Sequence, residues 1–327
     1  MIEPLSKDDS LMQGKLQHCL VSRRGMSSLA ARSLRETLKN IKPELKSPLA
    51  NKLIFSNGLK LRVAAGPSQR DHFHVVAGEE IYYQLKGDVE LKVILPETKA
   101  PSAIVVKEGH IFRLPGGIPH SPQRSTKSLG LVVERQRSQY ELDCLRWYKQ
   151  DSNVVEYEEY FHCQDLEAQM RDAAGRYQVF KAGNTVPVQD KDDMRGKNLN
   201  SVYQDIASRD FIATPFDLAT ELLKSPATTL FSSEFVVEVY RGRDLHQLQF
   251  PRWIKEIFLY QYRGESEVFS SRADKAVQHL KHDDMIMLDY PIDSEISMKL
   301  RGITESSIVV ALKNTAEELM PAPGATS

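Results

Sequence analysis

The sequence predicts an all-β-dominated chain folded as two jelly-roll barrels with a few short flanking helices. The first observation behind this is a succession of short apolar runs: Leu53–Phe55, Leu59–Val63, Glu80–Leu85, Val89–Leu95, Ala103–Lys107, Ile111–Leu114 and Leu129–Glu134. Glycine and proline separate them, and closing or doubling such a sheet removes its exposed edges. The second is an echo. Tyr83-Gln84-Leu85-Lys86-Gly87 recurs as Tyr260-Gln261-Tyr262-Arg263-Gly264 at a shift of 177 residues, among equally dense strand-like runs. The third is size, because 327 residues at 41% hydrophobic are comfortable for two domains.

Composition narrows the function classes. Lys plus Arg (43) balance Asp plus Glu (44), so no global field draws the chain to nucleic acid or acidic lipid. No apolar run approaches the length of a membrane span. Cys19, Cys144 and Cys163 are far apart and odd in number, which favours reduced thiols and a cytosolic (cytoplasmic) setting.

Residues 1–27 are polar and lack the apolar stretch of a secretory signal. Leu29, Leu34 and Leu38 recur at helical spacing, predicting a helix over 28–40 that Pro43 and Pro48 end. Asn57-Gly58 is a two-residue hairpin turn between the first two strands. Residues 164–176 predict a helix, and Thr214-Pro215 opens another, with Leu218, Leu222 and Leu223 on one face. The expected division is a flexible extension over 1–35, a first barrel with the chemistry over 36–187, a linker over 188–206, a degenerate second barrel over 207–320 and a disordered tail over 321–327.

The chemistry concentrates between Gly66 and Glu134. His72 and His74 are two apart in an extended segment and share a face. Glu80 follows the Gly78 turn, and His120 arrives on a later hairpin after Pro115 and Gly117. Imidazoles with one carboxylate suit Fe(II), Mn, Ni or Zn, and two histidines with one acid serve non-haem Fe(II) oxygenases. His110, His162, His246, His279 and His282 read as ordinary surface or core histidines. In the second half, His74 falls on Pro251 and Glu80 on Ile257, so the ligands are expected in the first barrel only. Arg124, four residues past a ligand histidine, is a natural clamp for a substrate carboxylate. Glu134 ends an apolar run, where a carboxylate needs a basic partner or a substrate amine.

The spacing Gly66, His72, His74, Glu80, Gly87, then Gly109, Pro115, Gly117, His120, resembles the two cupin motifs, with Arg124 where asparagine is usual. Asn51-Lys52-Leu53, Arg70-Asp71-His72-Phe73-His74, Pro119-His120-Ser121-Pro122-Gln123-Arg124 and Gly130–Arg135 narrow the resemblance to the animal-type, two-cupin 3-hydroxyanthranilate dioxygenase family, from about Ala50 to Lys181. The resemblance implies Fe(2+) held by His74, Glu80 and His120, with His72 outside the ligand set. It implies Arg70 beside the dioxygen position, and Glu80, Arg124, Glu134 and Asn51 around the substrate, with Arg70 and Glu134 acting in catalysis. The second, cysteine-bound iron of bacterial relatives has no counterpart, because the last third of the chain has no cysteine. The partners implied are a small aromatic substrate and O2, in tryptophan breakdown toward quinolinate and NAD. No nucleic acid or membrane is expected, and the second barrel covering the first predicts a monomer. Two other readings stay open: a different metal-dependent cupin enzyme, and a non-enzymatic two-barrel protein that binds a small ligand.

Overall fold

The computed structural model describes residues 30–46, 50–56, 58–95, 101–138, 141–150, 152–184, 214–224, 234–248, 256–270, 277–289 and 298–314. The expected linker over 188–206 and tail over 321–327 lie outside them. Among these residues, four antiparallel sheets build two β-barrels. In the first barrel, β2 (Asn51–Ser56), β3 (Leu59–Ala65), β5 (Glu80–Lys86), β8 (His110–Leu114) and β10 (Leu129–Arg135) run in the order β8-β5-β10-β3-β2. The sheet facing it orders β12 (Val155–Phe161), β11 (Asp143–Tyr148), β4 (Phe73–Val75), β9 (His120–Arg124), β6 (Val89–Ile94) and β7 (Pro101–Val106). In the second barrel, β19 (Asp284–Asp289), β16 (Glu256–Arg263), β21 (Ile308–Asn314) and β14 (Phe235–Arg241) form one sheet. The other orders β15 (Leu245–Leu248), β20 (Met298–Gly302), β17 (Ser266–Ser270) and β18 (Gln278–Leu280).

Strand alternation sorts side chains between two interiors. On β3, Leu59, Leu61 and Val63 enter a core shared with Phe235, Val237 and Phe258 of the second barrel. Arg62 and Ala64 turn instead into the first barrel's own cavity. On β5, Ile81 joins the shared core while Glu80 and Tyr82 face the cavity. A two-residue period on a sheet buried on both faces produces this division. The second barrel's interior is aliphatic: Ile257, where the repeat aligns Glu80, is fully buried among Leu259, Ile286, Leu300 and Val309.

The two halves repeat one hydrogen-bond scheme. Gln84 Nε2 donates to Lys86 O and Ser128 Oγ at 3.0 and 2.9 Å, and Gln261 Nε2 donates to Arg263 O and Ser307 Oγ at 2.7 and 3.1 Å. Gly87 and Gly264 both hold positive φ (57° and 70°), which only glycine adopts without strain. The halves also exchange arms. β1 (Arg32–Ser33) pairs with β19 of the second barrel, and β13 (Phe216–Asp217) pairs with β8 of the first. A short helix follows each arm, α1 (Leu34–Ile41) and α3 (Leu218–Lys224).

Three expectations shift here. The first helix begins at Leu34 rather than near Ser28, because the Ser33 hydroxyl accepts from Glu36 N and caps it. Arg32 and Ser33 therefore belong to a sheet, not to a free extension. Pro215 does not open the later helix either. Phe216 and Asp217 first extend the β8 edge, and the Asp217 carboxylate, 2.6 Å from Thr220 N, starts the helix. The remaining helix, α2 (Leu166–Lys181), runs five residues past the expected Arg176 and covers Leu145 and Trp147 with Met170, Ala173 and Tyr177.

Candidate functional site

All seven residues singled out from the sequence, Asn51, Arg70, His74, Glu80, His120, Arg124 and Glu134, line one cavity inside the first barrel. The cavity measures about 40 Å³, room for a water or two. Leu166 of α2 is among its walls, so admitting an aromatic ring requires side chains such as Leu166 and Arg70 to move. A larger groove of about 1160 Å³ opens between the barrels, but its charged groups Arg35, Lys86 and Arg263 are exposed. Buried His74, Glu80, Tyr82, His120, Arg124 and Glu134 all line the smaller cavity.

The sheet register brings the candidate ligands together. His74 on β4 sits directly opposite His120 on β9, with ring centroids 5.8 Å apart. His120 Nδ1 lies 2.9 Å from the Ile118 carbonyl and must donate to it, so a neutral ring presents its lone pair at Nε2. That Nε2 is 2.9 Å from Glu80 Oε2. A lone pair facing a carboxylate oxygen repels unless a proton or a cation lies between or beside them. Two donors at about 2.1 Å from one ion and at right angles are about 3 Å apart, so the contact suits either. Burial first, then the neighbouring His120, push the His74 pKa well down, leaving it neutral. Its Nε2 is buried without a hydrogen-bond partner, 3.9 Å from the equally unpartnered Oδ2 of Asp143.

The chemistry of this set fits a divalent transition ion: two imidazoles and an acid, one imidazole nitrogen desolvated and unsatisfied. Among the described residues, no three His, Cys, Asp or Glu side chains yet converge on a single point. Glu80 and His120 are in contact, and His74 is the donor left to be drawn in. His72 is apart from this group. Its buried ring packs 5.3 Å from Trp147, under α2, and it does not line the cavity.

The acids and arginines divide in two. Glu134, opposite Glu80 across the β5–β10 ladder, takes Arg62 Nε at 2.7 Å and Arg137 Nη2 at 2.9 Å. Burial pushes its carboxyl up, but Arg137 and Arg62 outweigh burial and hold it at about 2. Arg124 is buried too, yet its partners Gln84 Oε1 (3.0 Å) and Ser128 Oγ (3.2 Å) are neutral. Arg70 Nε is buried and unpartnered. Among the described residues, no carboxylate is in ion-pair contact with either arginine. Burial lowers both pKa values, Arg124 to about 10, so Arg124 remains cationic near neutrality.

Arg62, Arg137 and Asp143 were not anticipated. The signal for Arg62 was present, because it alternates with Leu61 and Val63 and so faces the opposite side of β3. Arg137 and Asp143, joined at 2.9 Å, are visible only once the loop between β10 and β11 is folded.

The Glu134 pairs carry a pH signature. The folded value of about 2 lies below the ordinary 4.5, so the stabilisation is complete above pH 4.5 and is lost as pH falls toward 2. Glu134→Gln is expected to flatten the decline of the denaturant midpoint across that window. An unchanged decline would mean the pairs contribute nothing to folding.

Comparison with known proteins identifies the family. A family model described as 3-hydroxyanthranilic acid dioxygenase matches residues 26–178, beginning inside the stretch expected to fall outside the resemblance. The 3-hydroxyanthranilate 3,4-dioxygenase of Rattus norvegicus is 32% identical over 225 residues, covering 68% of this chain and 77% of that protein. The protein of the same name from Bos taurus is 44% identical over 123 residues, 38% of this chain and 42% of that one. Among solved structures, a cupin 2 conserved barrel domain protein from Leptotrichia buccalis aligns over 88% of this chain and 98% of that one. Its TM-score is 0.44 at 11% identity, too loose a likeness to carry argument. No described helix is long and apolar enough to cross a membrane. With more than two thirds of a relative matched above 30% identity, the chain belongs to the 3-hydroxyanthranilic acid dioxygenase family.

Proposed function

We propose that this chain is an Fe(II)-dependent, extradiol-type dioxygenase. It opens the ring of 3-hydroxyanthranilate with O2 to give 2-amino-3-carboxymuconate semialdehyde, both oxygen atoms entering the product. The observation that carries this reading is one cavity inside the first barrel with His120 Nε2 at 2.9 Å from Glu80 Oε2, an unsatisfied His74 Nε2 beside them, and two arginines without acidic partners. Family membership supports the choice of substrate, and the product leads toward quinolinate and NAD.

His74, Glu80 and His120 would hold a ferrous ion, which supplies the electron transfer between an electron-rich ring and O2 that spin otherwise forbids. The chain's own groups bind and orient. Arg124 offers its planar fork to the substrate carboxylate. Arg70 favours negative charge as it develops on oxygen, at no reorganisation cost, because it is already desolvated. Glu134 accepts a hydrogen bond from the substrate amine or phenol. With its carboxyl held at about 2 it is a weak base, so its part is orientation and charge balance rather than proton removal. Asn51, at the start of β2, contacts the same ligand from the cavity wall. Leu166, Val132 and Pro122 exclude water around the ring. The enzyme is proposed to act in the cytosol as a monomer, since the apolar face of the first barrel is already covered by the second.

The test is direct. Protein purified anaerobically and loaded with ferrous ion should take up O2 in equal amount to added 3-hydroxyanthranilate and form a near-ultraviolet chromophore. Full iron loading without oxygen uptake would overturn the proposal.

A further inference from the structure

Among its described residues the second barrel holds no ligand set, yet it reaches into the first at chosen places. Glu80 and Glu134 stand opposite each other on β5 and β10. Their chain neighbours Glu79 and Arg135 are both gripped by one side chain of the second barrel, Glu234, which immediately precedes β14. Glu234 Oε2 accepts from Glu79 N at 2.7 Å, and its Oε1 accepts from Arg135 Nη2 at 2.9 Å. Glu234 N in turn donates to Glu79 Oε2 at 3.2 Å, while Glu79 Oε1 takes Arg113 Nη1 of β8 at 2.9 Å. A second carboxylate acts on the neighbouring strand. Glu256, the first residue of β16, accepts from Gly58 N at 3.0 Å and Leu59 N at 2.8 Å. Leu59 starts β3, the strand that carries Arg62, and pairs with Arg135.

The three strands bearing Arg62, Glu80 and Glu134 are therefore each fastened beside the cavity by an acid from the other barrel. Apolar residues would give adhesion more cheaply, because a buried carboxylate must first be stripped of water. What the acids add is direction: a charge-assisted bond to a backbone N–H fixes where that strand end lies, and a greasy contact does not. The chain also leaves space for the grip. A Cβ on Gly78 would come within 2.9 Å of Glu234 Oε2.

We propose that Glu234 and Glu256 are positioning residues, through which the second barrel sets the relative placement of Glu80, Glu134 and Arg62. The proposal rests on the reading of the cavity as a metal-dependent oxygenase site.

The test uses the full-length chain. Glu234→Gln and Glu256→Gln are made singly and together. Gly78→Ala is made as well, since its Cβ crowds Glu234 Oε2 at 2.9 Å, and Arg137 Nη1 less closely at 3.3 Å, and leaves every charge in place. Val237→Ala serves as the control, because Val237 is buried in the inter-barrel core on the strand that follows Glu234, so truncating it loosens that core and leaves both acids in place. Three quantities are read: the affinity of metal-free protein for Co(II) or ferrous ion, kcat and KM at saturating iron, and the melting temperature. The Glu234 and double variants should bind metal about tenfold more weakly and lose about tenfold or more in kcat, with KM changed far less. Gly78→Ala should move in the same direction. Val237→Ala should lower the melting temperature and leave metal affinity and kcat within about twofold.

Unchanged metal affinity and kcat in the double variant would overturn the proposal. So would a control that loses both in proportion to its stability. If wild type binds the ion but turns over no substrate, the activity reading fails while metal affinity still reports on the grip. If wild type binds no divalent ion, both fall together.

Discussion

His120→Ala is expected to lose its iron and its ring-opening activity together. His120 is the group whose Nε2 meets Glu80, and its own orientation is fixed by the Ile118 carbonyl. Without it the set is reduced to one imidazole and one acid, and the acid loses its 2.9 Å neighbour inside a buried cavity. Changing groups outside the coordination sphere costs a metal site about 10–100-fold, so removing a ligand should cost more than about a hundredfold in affinity. Turnover at ordinary iron should then drop below about a thousandth of wild type. The matched comparison is His72→Ala. That ring packs on Trp147 outside the cavity, so iron content should stay near wild type. Iron per chain after anaerobic loading and desalting decides the matter. A fully loaded His120→Ala, or an iron-free His72→Ala, would mean that the ligand set is not the one named here.

How legible was this in the sequence? The strands with strong apolar alternation, such as β3, β5, β6 and β10, were readable because one or both of their faces are packed. The strands that carry the histidines were harder. β4 is three residues long, and β9 reads His120-Ser121-Pro122-Gln123-Arg124 with no apolar alternation at all. Their place in the sheet comes from neighbours: β4, read as extended from its histidine spacing, lies between β11 and β9, and neither of those two was drawn as a strand. The candidate residues were visible all the same, because ligand spacing is a local property of the chain. What surrounds them is not. The Arg137–Asp143 pair joins residues on either side of a loop, and Glu234 acts on Glu79 across 155 positions of sequence. No periodicity encodes such contacts.

The repeat shows the same distinction. Both halves keep the glutamine and serine that hold the strand bend, Gln84 with Ser128 and Gln261 with Ser307. In the first half the free amide oxygen of that glutamine receives Arg124, whereas Gln261 Oε1 is buried with no partner. The framework was retained in both barrels, and the cation that turns a framework into a binding site stands in one.

That cation gives the second large effect. Arg124→Met should cut kcat/KM for 3-hydroxyanthranilate by about 10²–10³-fold, the usual result of removing one member of a buried charged pair, about 3–4 kcal/mol. The argument turns on what Arg124 lacks. It is 4% exposed, and burial lowers its pKa to about 10 without neutralising it near pH 7. Its partners are an amide oxygen and a hydroxyl, and Arg70 adds a second positive charge nearby. A desolvated cation held this way destabilises the protein until an anion arrives. Arg124→Met should therefore melt no lower than wild type in the absence of substrate, even as activity falls. Lysine should not rescue it, because a point charge cannot reproduce the planar fork. The discriminating substrate is 2-aminophenol, which keeps the ring amine and hydroxyl and lacks the carboxylate. Its kcat/KM should be low in wild type and change by less than about threefold in Arg124→Met. Equal losses on the two substrates, or a marked drop in melting temperature, would show that Arg124 supports the barrel rather than reading the substrate.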